Sequence, residues 1–549
     1  MNLEPNAPNA KPDAKADVKV DAKADVKDAN AKWATTIPCW DPATGDKLGD
    51  APVQSPDEVR AIVANARRAQ ASWAHTTFAE RRRVLGRMLD YLLDHADELC
   101  RVIAQDAGKT LENALVGEVW PICEKLRHTI ATGERDLAPE HVSSGLLVHK
   151  RATIEYQPLG VIGVICPWNF PLQNVLGPTI PALMAGNGVV IKVSEWVSWS
   201  APRIQAIFDA VFSDCGYSTD LVQIITGYAE TGVALCESGV DKIVFTGSLP
   251  NGRRVATQCA KTLTPAILEL GGKDPMIVCD DANIEQAAHA ALAGSFIASG
   301  QMCLAAERLV VMDRVHDLFV ARVVELAREL RQGNPLGGDK VDVGAMTMPQ
   351  QVEIVEKLVA DAIGKGAKAE VGGARGRGDR GSFFLPTVLT GVTRDMAIAK
   401  EETFGPVMCI FRVRDDEDAI ALANDTQYGL GSTVFSTDHA RARRIADRLR
   451  AGSTVINDFG LAYMANALPF GGVGGSGYGR LNGREGIRAM CNQKSVMSDR
   501  LPLHFPVKLY PVSDGDFVRT KATIELLYRR NVGSRVAAVV SLVRNLFKN

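Results

Sequence analysis

Gly160-Val-Ile-Gly-Val-Ile-Cys166 opens a series of short apolar runs that continues with Gly188-Val-Val-Ile-Lys192, Leu221-Val-Gln-Ile-Ile225, Lys242-Ile-Val-Phe-Thr246 and Met276-Ile-Val-Cys279. Such runs are too short for buried helices, and without polar alternation they fit strands covered on both faces. Segments of helical periodicity accompany them, among them Ser55 to Trp73 and Glu285 to Ala298. Strands alternating with helices predict an α/β fold of parallel strands joined by crossover helices. From Val148 to Tyr156 the pattern changes: Val148, Ala152, Ile154 and Tyr156 share one face of a strand, polar residues take the other, and only Lys150 breaks the alternation. A half-exposed strand of this kind is expected as an arm reaching a partner subunit.

The chain has 549 residues, which at about 150 residues per domain allows three or four domains, or two large ones with extensions. Its 62 basic and 64 acidic residues nearly cancel, which argues against a general nucleic-acid binder and for a small partner of low charge. Eleven cysteines without a CxxC pair give neither a disulfide nor a zinc framework, so no metal is expected. Met1 to Asp17 lacks the regions of a signal peptide, and no apolar run reaches the roughly 18 residues of a membrane span. A cytoplasmic protein is therefore expected. Asn2 to Lys32, with DAKADVK at Asp13–Lys19 and again at Asp21–Lys27, has too little apolar surface to offset chain entropy and reads as a disordered tail.

Two chemical groups recur at suggestive places. Leu268-Glu269-Leu270-Gly271-Gly272-Lys273 sets an acid at the end of an apolar run, and Ser299-Gly300-Gln301-Met302-Cys303 sets a cysteine after a glycine turn. A thiol and an acid suffice for thiol catalysis followed by hydrolysis, although a lone apolar-flanked cysteine is more often a buried small hydrophobe. Further motifs change that balance: Cys166-Pro167-Trp168-Asn169-Phe170-Pro171, Glu401-Glu402-Thr403-Phe404-Gly405-Pro406-Val407, Leu468-Pro469-Phe470-Gly471-Gly472, and Ser476-Gly477-Tyr478-Gly479-Arg480.

With these motifs in this order, from about Ile37 to about Arg500, the sequence resembles the aldehyde dehydrogenase superfamily. The resemblance implies an α/β fold with two Rossmann-like parallel-sheet domains and a β-strand oligomerisation arm. It implies a tail over 1–32, an NAD-binding domain over 33–147 and 166–269, the arm over 148–165 and 485–505, a catalytic domain over 270–484, and a basic extension over 506–549. By the same resemblance Cys303 is the nucleophile, Glu269 the general base, and Asn169 the side-chain donor of an oxyanion hole. The coenzyme-A-acylating branch typically lacks the equivalent of Glu269, so its presence favours water as acceptor and a free carboxylate as product. Acylating or reductive activity, and a scaffold that keeps the fold without turnover, stand as the competing readings.

Asn187 to Glu195 reads as a buried strand delivering Lys192 and Glu195 to one end, where open α/β sheets bind ligands; from the residues alone a plain surface ion pair is the favoured reading. In the family the matching lysine and glutamate hold the adenosine ribose, and an acid there repels a 2′-phosphate, favouring NAD with NADP as the alternative. Val193 stands where the family usually has proline, and this variant resembles a plant and fungal membrane-associated branch. Thr246-Gly247-Ser248 precedes a helix whose N-terminus suits a pyrophosphate. The resemblance adds Ile165, Cys166, Trp168, Gly227 and Leu270 to the cofactor site, with Glu402 and Phe404 at the nicotinamide end. Gly472 to Gly477 matches GxGxxG by letter but starts no βα unit, and Gly108-Lys109-Thr110 lacks the first glycine of a phosphate loop.

The substrate wall expected from the family comprises Met302, Leu304, Phe459, Leu461, Tyr463 and Met464, which suits an apolar or aromatic aldehyde, although core packing explains apolar residues equally well. A homodimer or homotetramer is implied. Between Arg519 and Asn549 seven basic residues face one acid, and Val536, Val539, Val540, Val543 and Phe547 share a helical face beside Arg535, Arg544 and Lys548. Two readings stand: a helix packed on the enzyme's own surface, or one lying peripherally on an anionic membrane.

Overall fold

The computed structural model describes residues 34–376, 380–502, 510–513 and 515–545. The tail Asn2 to Lys32 and the positions Phe547 and Lys548 lie outside the described residues. By its contacts the chain forms two compact units, one of residues 1–138 and 155–494, the other of 139–154 and 495–549.

The first unit holds two sheets. In the six-stranded sheet, Val161–Ile165 lies between Gly188–Lys192 and Lys242–Gly247, with Val222–Ile225 beyond the first and Ala266–Leu270 beyond the second. These five strands are parallel, and Gly477–Tyr478 closes the edge antiparallel to Leu268 and Glu269. Strand order therefore reverses beside Val161–Ile165, which opens a crevice at the carboxyl ends of Val161–Ile165 and Lys242–Gly247. The seven-stranded sheet is centred on Asp274–Val278, Ala306–Met312 and Val407–Val413, again parallel. Lys368–Val371 is its antiparallel edge strand.

Local chemistry explains the helices that cover these sheets. Pro56–Trp73 begins with a capping box in which Ser55 and Glu58 satisfy each other's backbone N–H, and Pro56 occupies the first turn, where its missing N–H costs nothing. At its far end Trp73 is buried and donates Nε1–H to the Leu183 carbonyl at 3.0 Å, so its apolar body packs without an orphaned donor.

Two expected boundaries move. Val161–Ile165, assigned to the arm with 148–165, is fully buried at the centre of the first sheet, and Gly483–Arg488, which overlaps the start of the expected 485–505 segment, is a helix of the first unit. Val161–Ile165 is apolar throughout and covered on both faces, which an arm is not, whereas Gly483–Arg488 belongs to the first unit through its buried Gly486 and Ile487. The strand Lys150–Pro158 is partly exposed along its length, as its alternation suggested. In the second unit Glu140–Val142 pairs antiparallel with it, and Lys150, which broke the apolar pattern, is ion-paired with Asp499. The C-terminal extension contains two helices, Asp516–Tyr528 and Val532–Asn545, packed as a hairpin.

Candidate active site

A cavity of about 670 Å³ in the first unit brings Asn169, Glu269 and Cys303 together with Trp168, Gly247, Ser248, Leu270, Glu402 and Phe404. Its size is that of a small-molecule site. The backbone delivers the thiol through a tight turn: Ala298 and Ser299 are left-handed at φ 51° and 56°, and the Asn113 carboxamide accepts the Ala298 N–H at 2.7 Å. Gly300 follows at φ 70°, and a Cβ there would stand 2.1 Å from the Gly405 carbonyl, so the turn requires glycine.

Glu269 is the penultimate residue of its strand, 3 % exposed, and one carboxyl oxygen has no hydrogen-bond partner. Burial pushes its pKa up to about 7, against which a hydrogen bond with the Cys303 side chain acts. Burial and the neighbouring Glu269 charge hold the Cys303 thiol well above its ordinary range. The resting pair is therefore a protonated thiol donating to a carboxyl that titrates near neutrality. Asn169 is locked from both sides: its Nδ2 donates to the Gln301 carbonyl at 3.0 Å, and its Oδ1 accepts from Asn174 Nδ2 at 3.2 Å. The second Nδ2–H is left for the cavity.

Glu402 accepts the Gly272 N–H at 3.0 Å, and burial, with the Glu307 charge, raises its pKa to about 8. A Cβ on Gly271 would lie 2.1 Å from the Glu402 carboxyl, so the double glycine lets this acid approach the strand end that carries Glu269. Phe404 stands edge-on to Trp168 at 5.4 Å. The remaining predicted cofactor residues, Ile165, Cys166, Lys192, Glu195 and Gly227, are not on the cavity wall. They cluster at the carboxyl ends of three adjacent strands, where Lys192 is in register with Ile165 and Ile225. Lys192 reaches Glu195 at 3.6 Å. Val193 donates its N–H to the Ile225 carbonyl at 3.2 Å, a ladder bond that the family's usual proline could not make. Cys166 donates its thiol to the Asn174 carbonyl at 3.2 Å.

These groups fit a dinucleotide. Ser248 leads into the helix Leu249–Thr262 without a side-chain cap, which leaves first-turn N–H groups at the cavity edge for an anion. The two rejected motifs take structural roles. Gly477–Tyr478 pairs with the Glu269 strand, and Ser476 donates to the Gly271 carbonyl at 2.6 Å. Lys109 is buried on Glu118 at 2.7 Å, its ammonium 3.4 Å from the Phe170 ring centre.

Sequence reasoning missed the groups beneath this surface. Glu307 accepts the N–H of both Thr403 and Phe404 and pairs with Lys273 at 2.5 Å, so a buried ion pair sets the segment bearing Glu402 and Phe404. The available signal was Ala306-Glu307-Arg308, two charges opening an otherwise apolar strand.

Residues 29–496 match the aldehyde dehydrogenase family model. The chain is 36% identical over 496 residues to the 4,4'-diapolycopene aldehyde oxidase of a Methylomonas species, covering 90% of this chain and 92% of that one. It is likewise 36% identical over 470 residues to the succinate-semialdehyde dehydrogenase [NADP(+)] of Escherichia coli, covering 83% and 94%. The crystal structure of a point mutant of Staphylococcus aureus betaine aldehyde dehydrogenase in complex with NAD+ superposes with a TM-score of 0.80 at 30% identity, over 87% of this chain and 96% of that one. With a thiol, a carboxyl and a carboxamide meeting at the crevice of a doubly wound sheet, and with a match spanning nearly the whole described chain, the protein belongs to the aldehyde dehydrogenase family.

Proposed function

We propose that the enzyme oxidises an apolar aldehyde to its carboxylic acid and releases the product by hydrolysis, using NAD in preference to NADP. The observation that carries the substrate class is the cavity wall. Met302, Leu304, Phe459, Leu461, Tyr463 and Met464 all line it, and among the described lining residues there is no lysine, arginine or histidine. The carboxylate of succinate semialdehyde would be desolvated there without a partner, a cost of several kcal/mol.

In this reading Cys303 passes its proton to Glu269 and attacks the aldehyde carbon. The free Asn169 Nδ2–H, with the Cys303 backbone N–H, meets the developing oxyanion, each such donor being worth about 3 kcal/mol. A nicotinamide held at this site would supply the hydride acceptor, and Cys303 would keep the acyl group as a thioester. Glu269 gives up the first proton to solvent and, as carboxylate, takes one from water as the water attacks the thioester, then returns it to the departing Cys303 sulfur as the acid is freed. Lys192 and Glu195 would hold the adenosine ribose, the start of Leu249–Thr262 the pyrophosphate, and Glu402 and Phe404 the nicotinamide end. The test is an aldehyde panel with both coenzymes. Hexanal and decanal are expected to exceed succinate semialdehyde by about 100-fold or more in kcat/KM, the equivalent of roughly 3 kcal/mol. Equal values would overturn the apolar assignment.

The second unit supports a place of action at an anionic lipid surface. In the hairpin, small residues face inward: Ala522 and Ala538 are buried, whereas Phe517 is 76% exposed and Val532 74%, with Ile524, Tyr528, Val536, Val539, Val540 and Val543 also exposed. Each helix thus turns its apolar face away from its partner, the reverse of a pair stabilised by its own packing. Lys521, Arg529, Arg530, Arg535 and Arg544 are exposed around that surface. No helix among the described residues is long and apolar enough to cross a membrane, and arginines at the tip disfavour deep insertion. A hairpin lying in the headgroup layer satisfies both facts. Full-length protein is expected to sediment with phosphatidylglycerol vesicles at low salt and to release at about 0.5 M salt, where screening shortens to a few Å. Truncation after Ser513 is expected to abolish sedimentation and leave activity on soluble aldehydes. Full-length protein remaining in the supernatant, or associating with itself instead, would refute this placement.

A further inference from the structure

Behind the substrate wall lies a second, polar cavity, lined by Lys125, His128, Asp136, Asn466 and Asn482 and of about 20 Å³, room for one water. Lys125, on the helix Trp120–Asp136, is 5 % exposed. Its ammonium donates to the Gly177 carbonyl at 3.2 Å and lies 5.9 Å from the Tyr463 ring centre. Burial lowers its pKa to about 7.

Two acceptors in this cavity are orphaned. Asn466 and Asn482 are 5% and 3% exposed, and neither Oδ1 has a hydrogen-bond partner. Their amide nitrogens are committed: Asn482 Nδ2 donates to the Tyr463 carbonyl and Asn466 Nδ2 to the Met464 carbonyl, both at 3.3 Å. The two asparagines thus hold, from behind, the backbone of two residues that form the substrate wall in front.

Buried amide oxygens in native proteins are satisfied, by ordered water where protein groups do not reach. We infer that this cavity is a structural water site, in which one water accepts a hydrogen bond from Lys125 and donates one each to Asn466 Oδ1 and Asn482 Oδ1. The hydrogen-bond inventory then closes. The water makes three bonds, each asparagine oxygen gains a donor, and the ammonium has the Gly177 carbonyl, the water and the Tyr463 ring face. Lys125 is accordingly a positioning residue for Tyr463 and Met464, acting through the water and the asparagines. Nothing here touches the reacting atoms.

The inference rests on the aldehyde-site reading for its kinetic consequence, but the water can be sought independently. A high-resolution crystal structure of the full chain is expected to show one water bonded to Lys125, Asn466 and Asn482. A dry cavity, or asparagine amides turned to other partners, would overturn the site even if aldehyde turnover were as proposed. For the kinetic arm, Lys125→Met is expected to raise the aldehyde KM about tenfold with kcat changed less than twofold and the coenzyme KM unchanged. Lys125→Gln, which keeps an N–H donor, is expected to restore most of that loss. Unchanged KM in both variants, or a fall in kcat alone, would refute the positioning role. If Lys125→Met fails to fold, the glutamine variant and the crystallographic water decide the matter.

Discussion

Cys303→Ala is expected to reduce aldehyde oxidation to below about a hundredth of wild type while leaving coenzyme binding intact, because covalent catalysis disappears with its nucleophile. The separation follows from the geometry. Lys192, Glu195 and the start of Leu249–Thr262 stand on the six-stranded sheet and its helix, whereas Cys303 comes from the turn after Ile284–Phe296, next to the other sheet. The substitution removes one sulfur from a site with open space beside it, so the fold is expected to persist. Coenzyme titration by fluorescence, run beside an absorbance assay for reduced coenzyme, checks both halves. Residual turnover well above a hundredth would mean that another group forms the covalent bond.

The Glu269→Gln variant is expected to give a rapid burst of reduced coenzyme of about one per site, followed by steady turnover slowed roughly 100-fold, the scale of a lost general base. Glutamine keeps the shape of the strand end but cannot take a proton from water. The pH dependence gives a second reading of the same role. Since burial raises the Glu269 pKa to about 7, the carboxylate fraction grows as pH rises through that value. Wild-type turnover limited by hydrolysis should therefore climb through about pH 7, and the variant should lack that limb. A burst that falls in step with the steady state would show that Glu269 serves the first half-reaction as well, or instead.

Much of this site was legible because its signals are local. The apolar runs at Gly188 and Lys242 could only be buried strands, and Glu269 and Cys303 each sit beside glycines whose space the structure uses. The illegible part is held by partners distant in sequence. Glu307 meets Thr403 and Lys273 meets Glu307 through sheet neighbours, and Lys125 meets Tyr463 from a helix more than 300 positions earlier. No spacing rule reports such meetings. The arm boundary failed for the opposite reason: the unbroken apolar run of Val161–Ile165 already reads as a covered strand beside the alternating Lys150–Pro158, and the expected arm was carried across it to 165 by the resemblance and not by the residues.

The hydrogen bond between the Cys303 thiol and the Glu269 carboxyl also bears on how the enzyme survives its own substrates and surroundings. Thiolates attack peroxides, alkylating agents and stray disulfides, and thiols react far more slowly. Burial and a neighbouring acid hold this thiol well above its ordinary range, so the proposed nucleophile would stay latent until a carbonyl stood before it and its proton had somewhere to go. On the proposed mechanism, the arrangement that delays ionisation would also act as chemical shelter for the sulfur on which turnover depends.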